Sequence, residues 1–234
     1  LVATLLTPRR IERGDVAAAQ KLFAGLLKSG LGRVRFVHRG NQLLAEGKGA
    51  EGLALYRRWA TKDPRAAWLY AFKLVGLGLG DDARRVARRA AKARPKDMVS
   101  LLALGRVFEY DRYGRLHRRG FLRSEAIAAY RRAKALDGDD LRPRRLLADV
   151  LRRSKRGQLA DVPSDQLEAA LKEYRELVDK LGDHSSRAPF AYTLLMAGKL
   201  RELSKLLETW TSGGERDAYY LTLLALQGRT EAYG

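Results

Sequence analysis

The stretch SEAIAAYRRAKALDG, residues 124–138, decides the fold. Ala126, Ile127, Tyr130, Ala133 and Leu136 recur at three- and four-residue spacing, which places them on one stripe of an α-helix. Arg131, Arg132 and Lys134 fall outside the stripe. Ser124 has the side chain of an N-cap, because its hydroxyl can accept from an orphan backbone N–H. Gly138 reads as the stop. The order small, aromatic, small at Ala126, Tyr130 and Ala133 is the informative part. Small residues admit a neighbouring helix, and one ring fills the gap between them.

The same spacing returns along the chain. It appears at Gly52, Tyr56 and Trp59 before Pro64, and at Ala83, Ala87 and Ala90 before Pro95. It appears again at Ala170, Tyr174 and Leu177 before Gly182, at Ala19, Phe23 and Leu26, and at Leu203, Leu207 and Trp210. Ala87 and Leu207 depart from the aromatic. From Phe23 the steps to Tyr56, Ala87, Tyr130, Tyr174 and Leu207 are 33, 31, 43, 44 and 33 residues. This resembles the second helix of a tetratricopeptide repeat, whose period is about 34 residues. The resemblance covers essentially the whole chain. It implies an all-α fold, a right-handed superhelical solenoid of antiparallel helix pairs. Residues 1–234 then form one solenoid of about six units, the last one truncated, with insertions near 111–123 and 156–164.

First helices of the repeat carry a large residue, a glycine and another large residue. Phe36, Gly40 and Leu43 fit this in the helix expected at 33–46, and Leu101, Leu104, Gly105 and Phe108 fit it at 97–110. Further helices are expected at 1–13, 16–28, 53–61, 65–75, 82–94, 141–155, 165–180, 186–197, 200–209 and 217–227. The basic insertion 111–123 reads as a longer helix plus a loop closing on the core.

Composition narrows the function. The 234 residues contain no cysteine, which removes disulfides, thiolate metal sites and a cysteine nucleophile. No apolar run reaches the ~18 residues of a membrane span. Arginine far outnumbers lysine, as in GC-rich bacterial genomes, which suggests a bacterial protein of the cytoplasm or periplasm. Gly76, Gly78 and Gly80 look like a phosphate loop, but they follow a helix and lack the G-x-x-x-x-G-K-[ST] order, so they read as a turn. His38, His117 and His184 sit on separate units without ligand spacing. No nucleophile motif appears. The expectation is no catalytic residue, no cofactor and no metal.

Charge is the remaining signal. Residues 81–160 hold 23 Lys plus Arg against 10 Asp plus Glu, an excess of 13 out of the chain's formal +19. Arg84, Arg85, Arg88, Arg89 and Lys92 read as the outward flank of a second helix. In the repeat family the first helices line a concave groove, and the residue after the glycine position points into it. The resemblance carries that row to Asn41, Lys73, Arg106, Asp149 and Tyr192, flanked by Arg142, Arg145 and Arg152. Arg106, Arg145 and Arg152 are expected to converge on a positive patch suited to an acidic or C-terminal peptide, because arginine binds carboxylates with paired hydrogen bonds. The implied function is a protein–protein interaction scaffold. A nucleic-acid-binding repeat module using the basic middle is the alternative, and a non-catalytic part of a larger enzyme is a further one.

Overall fold

The computed structural model describes residues 32–61, 64–211 and 213–227. The expected helices 1–13 and 16–28, with Phe23, lie outside the described residues. Among the described residues eleven α-helices follow one another, and the extended pairing is one isolated bridge between Tyr110 and Leu116. The chain divides into two compact units, residues 1–70 and 71–234.

In the first unit α1 (Gly32–Ala45) and α2 (Gly49–Ala60) are joined by a turn at Gly47, whose φ of 75° suits a residue without a side chain. Tyr56 sits 1% exposed between them. A Cβ on Gly40 would lie 2.5 Å from its ring, so the glycine makes room for the tyrosine. Trp59 and Ala66 complete this core, with Val37, Leu44, Leu69 and Tyr70 against it. Ala66 belongs to α3 (Pro64–Gly76), along which the division falls.

The second unit continues with α4 (Gly80–Ala93), α5 (Met98–Phe108), α6 (Arg123–Leu136), α7 (Leu141–Leu151), α8 (Ser164–Arg175), α9 (Arg187–Met196), α10 (Leu200–Glu208) and α11 (Gly214–Leu226). From α4 onward each helix packs on the next. Tyr130 and Tyr174 are 0% and 1% exposed, and Leu207 fills the equivalent place at 1%. Gly105 lies beneath Tyr130, where a Cβ would stand 2.7 Å from Cδ1. The Phe72 ring of α3 meets the Tyr110 ring edge-on at 6.1 Å between centroids, and Ala87 of α4 is buried. The fold is thus a TPR-like stack of antiparallel helix pairs.

Tertiary contacts adjust several ends. α6 starts at Arg123, and its N-cap position is Leu122, not Ser124. The start is set elsewhere: Leu122 N donates to Phe108 O, and the Arg123 guanidinium donates to Leu151 O and Arg153 O. Ser164 likewise opens α8 behind Pro163 instead of capping it. Leu136, expected on the apolar stripe, is 41% exposed in the last turn of α6. α7 ends at Leu151, short of the expected 155, and the last turn of the expected 165–180 helix widens to a π-helix at Glu176–Lys180. The insertion 111–123 contains no helix before α6. It is a loop whose Phe121 is buried, so it does close on the core.

Candidate functional site

The first helices carry a repeated polar link at the seam. Tyr56 Oη donates to Asn41 Oδ1 at 2.9 Å and to Val37 O at 3.1 Å in the first unit. In the second, Tyr130 Oη donates to Glu109 Oε1 and Tyr174 Oη donates to Asp149 Oδ1 at 2.9 Å. Each ring is buried as hydrocarbon while its hydroxyl emerges on the first-helix side, where an acceptor spares it an unpaired donor. Burial and the neighbouring carboxylates push both Tyr130 and Tyr174 hydroxyls well above the usual tyrosine range, so both remain donors.

Around these links the expected groove arginines are engaged. Arg106 Nη1 donates to Glu109 Oε1 at 3.2 Å. Glu109, 1% exposed, also lies 2.5 Å from His117 Nε2. Burial opposes the charge of Arg106, but Glu109 beside it raises its pKa above the ordinary arginine value. Arg145 holds Asp183 through Nε and Nη2, the latter donating to Oδ1 at 2.6 Å. Burial favours the neutral Asp183 acid, but the Arg145, Ser186 and Ser185 hydrogen bonds outweigh it and hold the carboxyl at about 2. Arg152 Nε donates to Asp149 at 3.1 Å. Asp140 caps the start of α7 by accepting from Arg142 N at 2.8 Å, and the Arg142 guanidinium donates to the same carboxylate. Each of these arginines is therefore paired with an acid, Glu109, Asp140, Asp149 or Asp183.

What remains on that side is mixed. Arg142, Arg145, Asp149 and Arg152 share one stripe of α7 by their spacing. Arg152 and Tyr192 both act on the ionisation of Tyr219, so α7, α9 and α11 contribute to one neighbourhood. Burial is the first cause of that rise, and Glu215 adds to it. Tyr192 is 37% exposed, and Lys73 is half-buried on α3. Asn41 is exposed in the first unit.

The outward flank of α4 is corrected at one position. Arg84 is 7% exposed and donates to Tyr110 O at 2.5 Å and Gly120 O at 2.8 Å, clamping both ends of the 109–122 loop. Arg88 sits 5.0 Å over the Phe108 ring. Sequence spacing could not show this, because the acceptors are backbone carbonyls of a loop.

The helix pairs define a TPR-like helical-repeat fold. Solved chains similar to this one include two forms of MamA. The MamA RS-1 ArsTM double mutant has a TM-score of 0.51 at 17% identity, covering 82% of this chain and 94% of that one. MamA 41-end from Desulfovibrio magneticus RS-1 has a TM-score of 0.50 at 16% identity, covering 84% and 95%. At this identity the likeness concerns the fold. No protein-family model and no curated protein matches the chain.

Proposed function

We propose that the chain is a protein–protein interaction scaffold, without catalysis of its own, that holds a partner peptide or protein along its first helices. The observation that carries this reading is the fold itself. Each pair buries its apolar stripe against its neighbours, as Tyr130 under α5 illustrates, and leaves a row of polar first-helix side chains for recognition. In the second unit that row is Lys73, Arg106, Arg142, Arg145, Asp149, Arg152 and Tyr192; Asn41 holds the same register in the first. Because most of these arginines are already paired, selectivity comes from exchange of partners at the surface. A ligand carboxylate competes with Glu109 or Asp183 and gains most at groups with less to give up, Lys73 and the exposed edge of Tyr192. The test is affinity capture with wild-type bait and a Lys73→Glu/Tyr192→Ala bait of equal helicity. The expected result is a discrete partner retained by the first and lost from the second. Equal capture by both, or by neither, overturns the groove reading.

A further inference from the structure

The two insertions lie between a first helix and its second helix, one after α5 and one after α7. That topology sends both to the same end of their helix pairs, and the structure brings them into contact. A Cβ on Gly157 would stand 2.6 Å from the carbonyl carbon of His117. The turn before α4 joins the row: Gly80 N donates to Arg112 O at 2.9 Å, and Gly78 approaches Tyr113 O. Three successive loops thus form one continuous edge of the second unit.

The edge is held rigid from within. Asp111, 1% exposed, accepts from Tyr113 N and Arg115 N at 2.9 Å each and from Arg115 Nε at 2.7 Å. Glu109 fixes His117, Arg84 clamps the first loop, and Arg123 holds the carbonyls where the second begins. Buried acids and arginines are spent on keeping the loops in place. Outside, Arg118, Arg119 and Arg156 are exposed, and no acidic side chain among the described residues pairs with them. With His117 and Gln158 they line a concavity of about 690 Å³. Beside it Tyr113 and Leu116 are 58% and 43% exposed, and Leu77 and Leu79 are exposed on the neighbouring turn.

We propose that this edge is a second docking surface, which takes an acidic protein segment carrying apolar side chains. The proposal rests on the scaffold reading and adds a site at the loop end, apart from the first-helix row. Charge complementarity carries it. Three unpaired guanidinium groups on a rigid concave frame are preorganised for carboxylates, and a fixed frame lowers the entropy lost on binding. The leucines flanking them give a peptide apolar contacts that a phosphodiester backbone cannot use. Base stacking by a single-stranded nucleic acid would need a free ring face, yet guanidinium carbons of Arg112 and Arg115 both stand 5.2 Å from the Tyr113 ring centroid. A flat bilayer would not enter the concavity, whereas side chains of a peptide reach into it.

The experiment uses the full chain and three fluorescent probes at physiological salt. They are a synthetic peptide of Asp-Glu pairs interspersed with leucines, a random single-stranded oligonucleotide of equal charge, and vesicles containing phosphatidylserine. The peptide is expected to bind more tightly than the other two. Arg118→Ala/Arg119→Ala/Arg156→Ala should weaken it about tenfold or more with helicity retained. Because the three side chains are exposed and make no internal ion pair, the fold tolerates their loss. The loss caused by Arg118→Ala/Arg119→Ala/Arg156→Ala should be the same fold-change in the wild type and in a Lys73→Glu/Tyr192→Ala background, so failure at the groove and failure at the loop edge are read separately. Preference for the oligonucleotide or the vesicles, or equal peptide binding by the triple variant, overturns the proposal.

Discussion

At the residue scale the fold depends on glycines that make room for rings. Gly105 sits inside α5, where an alanine would ordinarily gain about 1 kcal/mol of helix propensity. Here the added methyl would meet Tyr130, which is 0% exposed and has no space to retreat. Overpacking of this kind costs about 1–3 kcal/mol and more when the ring is pinned, so it exceeds the propensity gain. Gly105→Ala is expected to destabilise the protein by about 1–2 kcal/mol, and Gly49→Ala, in open space, to be neutral or stabilising, both by denaturant unfolding. A stabilised Gly105→Ala would mean the seam is looser than its geometry. This seam was legible because apolar spacing alone puts Tyr130 and Tyr174 on the inward stripe. The role of Arg84 was not, since an arginine beside other arginines reads as solvated until the carbonyls of Tyr110 and Gly120 appear next to it.

At the element scale the helices were readable and their junctions were not. Periodicity located α4 to α10 within a few residues, but the start of α6 and the form of the 111–123 loop depend on groups far away in sequence. The groove row was placed by register alone, and its partners Glu109 and Asp183 were missed. Glu109 reads as the end of a helix, and Asp183 is 38 positions from Arg145. That last pair joins α7 to the short turn His184–Ser186 ahead of α9. It makes a checkable pH dependence. The Asp183 carboxyl is depressed from 3.8 to about 2, so its stabilisation is complete above 3.8 and lost as pH falls towards 2. The side chain of Arg145 is 40% exposed, so solvent screening keeps the contribution to about 1–2 kcal/mol. The melting temperature of wild type should exceed that of Arg145→Ala above pH 4, and the gap should close by about pH 2. A gap that persists at pH 2 would show that Arg145 acts through packing instead.

At the scale of the whole molecule, charge is the property that no local pairing removes. The formal net charge is +19, and the pairs at 4 Å or less, such as Arg175 with Glu202 and Arg144 with Glu173, neutralise neighbours without changing that sum. Salt acts on the two contributions differently. The Debye length is about 10 Å at 0.1 M, longer than any of those pairs but shorter than the distances over which the excess arginines repel one another. Screening therefore weakens the long-range repulsion more than the close attractions. Exposed pairs contribute about 0–1 kcal/mol each to begin with, so little is lost when they are screened. The net effect should be stabilising. The melting temperature is expected to rise by a few degrees between ~10 mM and ~0.15 M sodium chloride at neutral pH. The triple variant Arg118→Ala/Arg119→Ala/Arg156→Ala, with three fewer positive charges and no internal ion pair broken, should start higher at low salt and rise less. A melting temperature that falls with salt in the wild type would show that the ion pairs along the helices outweigh the excess charge.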